Sequence, residues 1–264
     1  MYHSVAGRMT DGFRDFTVTA DRLAEHLAAL RDGGWQTITL SEAAAQLRRP
    51  DHDQRRRLVA LTFDDAYADF ATHAMPALAA ARAKATLFVP TAHVGRRAGW
   101  LPGNEAARPL LGWSDLADAG GAGVEIGSHG HEHAPLDLGR PDGIYEDLRR
   151  SRLILEDQLG RAITTLAYPY GYQTGKTRHA ARDAGFHTAC AVVGLPATAT
   201  DGQLALPRLA VTQDMRGDDL LALLTRRPRP AQRRLRRGKQ HLWYAARKTR
   251  LIAPRSPASK DDRR

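Results

Sequence analysis

Short apolar segments alternate with amphipathic helical segments along this chain of 264 residues. The segments LVALTF (58–63), ATLFV (85–89) and HTACAVV (187–193) are continuous apolar runs of the kind found in buried parallel strands. Helical periodicity is expected over residues 20–31, 67–82 and 142–159. Because strands and helices alternate, the sequence predicts an α/β fold with a parallel sheet, either open or closed into a barrel.

The net charge of +10 is unevenly distributed. Residues 226–264 contain 15 Lys and Arg and two Asp residues, a charge of +13 that leaves −3 for the first 225 residues. We therefore expect a mildly acidic domain over residues 1–225 and a basic, flexible C-terminal tail over residues 226–264. The only cysteine, Cys190, excludes an intrachain disulfide and a thiolate metal cluster, and we interpret it as a small core residue.

Targeting and membrane-spanning segments bear on where the protein is located. No signal peptide and no apolar run of about 18 residues is visible, so we expect a cytoplasmic protein. Since a strand is expected almost from Met1, a leader missing from the sequence as written is an alternative. The tail is either a solvated segment or a peripheral attachment to an anionic membrane surface, with Trp243 and Tyr244 at the headgroup level. No nucleic-acid partner is expected, because nothing else in the chain resembles a nucleic-acid module.

Two adjacent carboxylates, Asp64 and Asp65, follow the strand LVALTF. Neighbouring residues on a strand point to opposite faces, and a buried unpaired carboxylate is costly. The pair is therefore either a solvated turn or a site with a metal or arginine partner. In barrels of parallel strands the catalytic residues lie at the carboxyl ends of the strands, and this pair lies at such an end.

Three histidines lie within five positions after the strand GVEI: His129, His131 and His133. His129 and His133 would share a face of a helical turn, whereas His129 and His131 would share a face of an extended segment. Two imidazoles and one carboxylate of the Asp pair form a ligand set for an open, catalytic divalent site. The other carboxylate would then be available as a base.

A third segment, AYPYG, ends another predicted strand. Pro169 and Gly171 predict a rigid turn whose backbone N–H groups can face a developing oxyanion, although a plain loop has the same composition. The three segments together, in this order and at three strand ends, indicate a hydrolytic site more strongly than any one of them.

The segments TFDDAY, HGHEH and AYPYG resemble the first three motifs of the polysaccharide deacetylase family, the NodB-homology or carbohydrate esterase family 4 proteins. The resemblance covers about residues 1–225 and excludes the tail. It implies a distorted (β/α)7 barrel of NodB-homology type. It also implies a metal-dependent hydrolase that removes N-acetyl groups from an N-acetylated sugar in a polysaccharide or glycan precursor.

The resemblance also implies roles for individual residues. Asp64 would be the general base, and Asp65, His129 and His133 would hold one divalent metal ion, often zinc. The backbone N–H of Tyr170 would help to stabilise the tetrahedral oxyanion.

The chain departs from the family's motifs at three positions. Ala66 replaces a glycine, and Gly130 replaces a serine or threonine whose hydroxyl steadies the loop. Ala167 stands where the family has an arginine that orients the base. We hypothesise that Arg208, a lone arginine in the late apolar strand LPRLAV, orients Asp64 instead.

The histidine that serves the family as general acid has no counterpart, because the only histidine after Val211 is His241 in the tail. His3 and His131 are the two candidates for the acid. The rival functions are hydrolysis of another C–N bond or of an O-acetyl ester, a degenerate non-catalytic carbohydrate-binding domain, and an arginine-rich nucleic-acid binder. The spare carboxylate beside the predicted metal ligands favours an enzyme, because a binding module has no need of a base.

Overall fold

The computed structural model describes residues 1–6, 11–49 and 57–226, together with residues 235, 238 and 244. The strands in these residues are β1 (Ser4–Ala6), β2 (Thr17–Thr19), β3 (Gln36–Ile38), β4 (Leu58–Ala60), β5 (Thr62–Phe63), β6 (Thr86–Val89), β7 (Glu125–Ser128), β8 (Thr165–Ala167), β9 (Thr188–Val192) and β10 (Leu206–Arg208). The α-helices are α1 (Ala20–Asp32), α2 (Leu40–Arg48), α3 (Met75–Ala81), α4 (Trp113–Gly121), α5 (Pro141–Leu159), α6 (Gly175–Asp183) and α7 (Gly217–Thr225). The predicted tail lies outside the described residues, apart from residues 226, 235, 238 and 244.

A curled sheet of six parallel strands forms the centre of the fold, in the order β10-β9-β8-β7-β6-β5. Its strands are short, and β6 and β8 are buried along their whole length because helices cover the outer face and side chains fill the interior. Space inside is limited: a Cβ at Gly127 of β7 would lie 2.6 Å from the ring of Phe88. Cys190 is buried beside Phe88 in the same interior cluster, as a small core residue would be.

The first residues of the chain lie between the two edge strands of this sheet, β5 and β10, and close it into a barrel. Four backbone hydrogen bonds of 2.8–3.0 Å join them, two to each edge. They connect Tyr2 with Thr62 and Asp64, and Met1 with Leu209 and Val211. The segment runs parallel to β5. The expected distorted (β/α)7 barrel is therefore confirmed, with the segment 1–3 as its seventh member.

The first two helices have side-chain caps at their N-termini. Thr19 caps α1 by accepting a hydrogen bond from the Arg22 N–H at 3.1 Å, and Gly33 ends that helix. Thr39 caps α2, where Thr39 and Glu42 form a reciprocal capping box.

Two predicted elements are divided in the structure. The segment LVALTF was expected to be one strand, but β4 pairs with β3 in a separate two-stranded sheet and β5 pairs with β6. Residues 67–82 were expected to be one helix, but a π-helical turn (Phe70–Ala74) precedes α3, which has a proline in its first turn. Among the described residues no helix is long and apolar enough to cross a bilayer.

Candidate active site

The barrel mouth, meaning the end at which the parallel strands reach their carboxyl termini, brings the predicted polar residues together. Asp64 and Asp65 follow β5, His129 and His133 follow β7, and Arg208 ends β10. All five side chains are buried, so each charge among them needs a partner.

Asp65, His129 and His133 point their polar atoms at one another. Asp65 Oδ1 lies 3.3 Å from His129 Nε2 and 3.1 Å from His133 Nε2. The other carboxylate oxygen, Oδ2, accepts a hydrogen bond of 2.8 Å from the Tyr67 hydroxyl, which fixes the orientation of the carboxylate. One ligand atom from each of the three residues lies within 4.8 Å of the other two.

The chemistry of this group fits a divalent cation. The Ala167 carbonyl can only accept, so His129 Nδ1 donates the hydrogen bond of 2.7 Å between them. In the neutral ring this leaves a lone pair on Nε2, directed at Asp65. Asp65 Oδ1 is buried and, apart from the two imidazoles, has no hydrogen-bond partner among the described residues. A cation between Asp65 Oδ1 and the two Nε2 atoms would give each of these atoms a partner, and two nitrogens with one oxygen is a ligand set of open catalytic zinc sites.

The surroundings set the charges of the three groups. Burial by itself would raise the pKa of Asp65, but His133 and His129 outweigh it and hold that pKa well below its ordinary value. Burial lowers the pKa of His133 despite the nearby Asp65 carboxylate. Burial also opposes protonation of His129, but the carboxylates of Asp64 and Asp65 outweigh it and raise the pKa of His129. Asp65 is therefore ionised at neutral pH.

Arg208 makes the contact on which its hypothesised role depends. Its Nη1 and Nη2 atoms each donate a hydrogen bond of 2.7 Å to the Asp64 carboxylate, and Nη1 also donates to Thr62 Oγ1 at 3.2 Å. Burial would raise the pKa of Asp64, but the Arg208 guanidinium outweighs it and lowers that pKa. Asp64 Oδ2 lies 4.0 Å from His129 Nε2, so the second carboxylate borders the candidate metal site as an anion.

The two candidate acids occupy different places. His3 is the last residue of the segment that closes the barrel, so it emerges at the mouth. Burial lowers its pKa, and the carboxylates of Asp65 and Asp64 oppose that effect, which places His3 within electrostatic reach of both.

His131 is directed to another part of the loop. Its Nδ1 lies 2.8 Å from Thr91 Oγ1, and its Nε2 lies 3.4 Å from a Glu132 carboxylate oxygen. The extended pairing of His129 with His131 is not formed, because Gly130 has a left-handed backbone (φ +75°) that turns the chain between them. His131 as general acid is therefore not supported by its position.

Residues that the sequence interpretation missed hold the site in place. Tyr67 orients Asp65, and Trp100 packs its ring 4.2 Å from that of His133. Asp147 accepts hydrogen bonds from the backbone N–H groups of His131 and Glu132, which anchors the histidine loop to α5. Only Tyr67 had a sequence signal, its position two residues after Asp65; Trp100 and Asp147 come from distant segments.

Gly130 leaves room for that anchor. A Cβ at Gly130 would lie 2.9 Å from Asp147 Oδ1, closer than such atoms normally approach. The position where the resemblance expects a serine or threonine is therefore filled from the other side by a carboxylate.

Comparison with known proteins identifies the family. The sequence model of the family described as polysaccharide deacetylase matches residues 51–189, just over half of the chain. The chain belongs to the polysaccharide deacetylase family. The Bacillus subtilis (strain 168) protein YxkH, which carries a polysaccharide deacetylase name, is 26% identical over 217 residues, covering 82% of this chain and 72% of YxkH.

Solved structures show the same architecture as this polysaccharide deacetylase. The Streptococcus pyogenes deacetylase PplD, solved in complex with acetate, has a TM-score of 0.75 and 25% identity over 86% of this chain and 96% of PplD. IcaB from Ammonifex degensii has a TM-score of 0.70 and 24% identity over 85% of this chain and 95% of IcaB, a likeness of fold. The three motif segments of this family member thus lie at strand ends of a barrel that its relatives share.

Proposed function

We propose that this polysaccharide deacetylase is a metal-dependent de-N-acetylase that hydrolyses the amide of an N-acetylated sugar in a glycan or glycan precursor. The observation that carries the proposal is the pairing of two buried carboxylates with different partners. Asp65 faces two imidazoles, whereas Asp64 is held by Arg208. One carboxylate is arranged as a ligand and the other as a base, and the proposed catalytic unit is the domain of residues 1–225.

Asp65, His129 and His133 would hold the ion, most simply zinc. When bound, such an ion polarises a carbonyl and acidifies a bound water, whose pKa on zinc can fall to about 7. The Tyr67 hydroxyl holds the buried carboxylate of Asp65 in the orientation that faces the two imidazoles.

Asp64 is proposed to take the proton from the attacking water. Its two bonds to Arg208 keep it ionised and fix its direction beside His129. The Tyr170 backbone, left-handed at φ +60° in the turn after β8, is proposed to direct its N–H toward the oxyanion. Support for this comes from the Tyr170 ring, which lies 4.9 Å from that of His133 and so places the turn beside the ligands.

His3 is proposed to donate the proton that the departing amine requires. The proposal rests on its place at the carboxyl end of the segment that closes the barrel and on the carboxylates of Asp65 and Asp64, which oppose the lowering of its pKa by burial and so favour the protonated form that can donate. An amine is a poor leaving group, so an acid contributes about 10²–10⁴-fold to amide hydrolysis. His131, which faces Thr91 and Glu132, has no such position.

The test combines metal content with acetate release from chitooligosaccharides. We expect about one divalent ion per chain, acetate release by the native sequence, and loss of release with retention of metal in Asp64→Asn. His3→Gln should lose much more activity on the amide than on p-nitrophenyl acetate, whose leaving group needs no proton. Release of acetate only from O-acetylated glycans would assign the site to esters, and a chain that binds no metal after divalent ions are restored would refute the ligand assignment.

A further inference from the structure

Two exposed aromatic rings border the barrel mouth. The large apolar side chains that the described part of the chain leaves exposed are Phe16, Leu138, Leu153, Tyr170 and Leu235. Two of them are aromatic, Phe16 (51% exposed) and Tyr170 (46% exposed), and both contact histidines of the site. Phe16 packs 5.1 Å from the His3 ring, and Tyr170 packs 4.9 Å from the His133 ring.

The barrel topology places these rings on opposite sides of the mouth. His3 ends the closing segment, whereas Tyr170 follows β8. From the closing segment to β8 the path crosses β5, β6 and β7 in one direction and β10 and β9 in the other. In a ring of seven members, β8 is thus as far from the closing segment as any member can be. The buried carboxylates and imidazoles lie between the two exposed rings.

The Tyr170 ring is part of a longer row of aromatic side chains. The Tyr172 ring stacks on that of Tyr170 with centroids 5.9 Å apart and planes 18° apart. Trp100 also contacts His133 (4.2 Å) and packs against His93 (4.8 Å). Tyr170 and the half-buried Tyr172 therefore form a continuous aromatic surface next to His133.

The chemistry of these surfaces suits sugar rings. A pyranose presents C–H groups on its face, and the electron-rich face of an aromatic ring attracts such positively polarised hydrogens while removing apolar surface from water. Single exposed apolar side chains are ordinary. Two aromatic ones at opposite sides of one polar site, each touching a histidine of that site, form a pattern that a linear ligand would fill.

We propose that Phe16 and the Tyr170–Tyr172 stack bind the two sugar residues that flank the N-acetylated one, so that the enzyme acts on a residue inside a glycan chain. This inference rests on the proposed function, because it takes the polar centre as the place of the acetamide. It assigns the specificity for chain length to the side chains of Phe16, Tyr170 and Tyr172, whereas the catalytic role proposed for Tyr170 belongs to its backbone N–H. A free monosaccharide at the polar centre would leave both flanking positions empty.

The first measurement compares acetate release, as kcat/KM, from N-acetylglucosamine and from its linear β-1,4-linked pentamer. For the native sequence we expect a rise of at least about tenfold from monomer to pentamer. Phe16→Ala and Tyr172→Ala should each reduce this rise about fivefold, and Phe16→Trp should restore it. Leu153→Ala, which removes an exposed apolar side chain (38% exposed) from α5, should leave the rise unchanged.

The second measurement is the affinity for cellopentaose, which has the same linked pyranose rings but no acetyl group to lose. Binding should weaken in Phe16→Ala and Tyr172→Ala and not in Leu153→Ala. If acetate is released and both aromatic variants keep the full rise with chain length, the inference is wrong and the proposed function stands. If no acetate is released but the two variants still lose cellopentaose affinity, the proposed function is wrong and the glycan sites stand. The inference is also wrong if the protein does not bind cellopentaose and neither variant changes acetate release.

Discussion

Arg208 provides the sharpest test of how the base is held. Both its side chain and that of Asp64 are buried, and two hydrogen bonds of 2.7 Å join them. Removing one partner of a buried ion pair leaves the other charge without compensation, which costs about 3–5 kcal/mol. We therefore expect Arg208→Met to lower the free energy of unfolding by that amount, measured by urea denaturation at pH 7.

The same variant should change the pH dependence of activity. Arg208 lowers the pKa of Asp64, and an adjacent arginine typically accounts for about 1–3 pKa units. A base works only when it is ionised, so activity is lost as pH falls through the pKa of Asp64. Without Arg208 that pKa rises, and the acidic limb of the kcat/KM profile should move to higher pH by about 1–3 units. Arg208→Lys keeps the charge but not the geometry of two hydrogen bonds, so the acidic limb of its kcat/KM profile should move less than that of Arg208→Met.

A double-mutant cycle separates the pair from its surroundings. Arg208→Met and Asp64→Asn each leave one buried partner unsatisfied, whereas the double variant removes both charges. The double variant should therefore be more stable than the sum of the single effects predicts, by at least about 2 kcal/mol. As a control, Arg152→Met breaks the 2.9 Å pair with Glu156 on α5 and should cost less than about 1 kcal/mol. An unmoved acidic limb in Arg208→Met, with additive stabilities, would refute the proposed role.

Further predictions concern the metal, the pH and the thiol. Asp65→Asn should abolish binding of about one divalent ion per chain, measured by elemental analysis, whereas His131→Gln should retain the ion. Burial lowers the pKa of His26. The contribution of His26 to stability is therefore present above the unfolded pKa of about 6.5 and is lost as pH falls below it. Between pH 7 and pH 5, His26→Gln should lose less stability than the native sequence, as thermal unfolding would show. Burial raises the pKa of Cys190 to about 12, so a maleimide at pH 8 should label the unfolded chain and spare the folded one.

The site could be predicted from the sequence because its carboxylates and histidines come directly after segments that are recognisable as strands. Buried parallel strands have a recognisable apolar pattern, and their carboxyl ends meet at one end of a barrel. The positions of Asp64, Asp65 and His129 in the chain therefore implied their proximity in space. The contact of Arg208 with Asp64 was foreseen for a similar reason, since a lone arginine in a late apolar strand needs a buried anion.

What could not be predicted depends on contacts between distant segments. The closure of the barrel by Met1 and Tyr2 uses backbone groups, which carry no residue signal. The anchoring of the histidine loop by Asp147 depends on the position of α5 against β7, and the sequence distance between them gives no indication of it. The division of LVALTF between two sheets is likewise a choice of strand partners that an apolar pattern does not specify.

The directions of the functional side chains escape sequence interpretation for a further reason. Asp65, His133 and Tyr170 all have left-handed backbones, with φ of +74°, +53° and +60°, a conformation that costs a non-glycine residue on the order of 1–2 kcal/mol. Local preference alone would place glycine at such positions. Each of these residues supplies a ligand or a backbone N–H that the proposed chemistry needs, so packing around the barrel mouth holds them against that preference. Residue types at strand ends are therefore predictable from local patterns, whereas the turn geometry that aims them is fixed only by the assembled barrel.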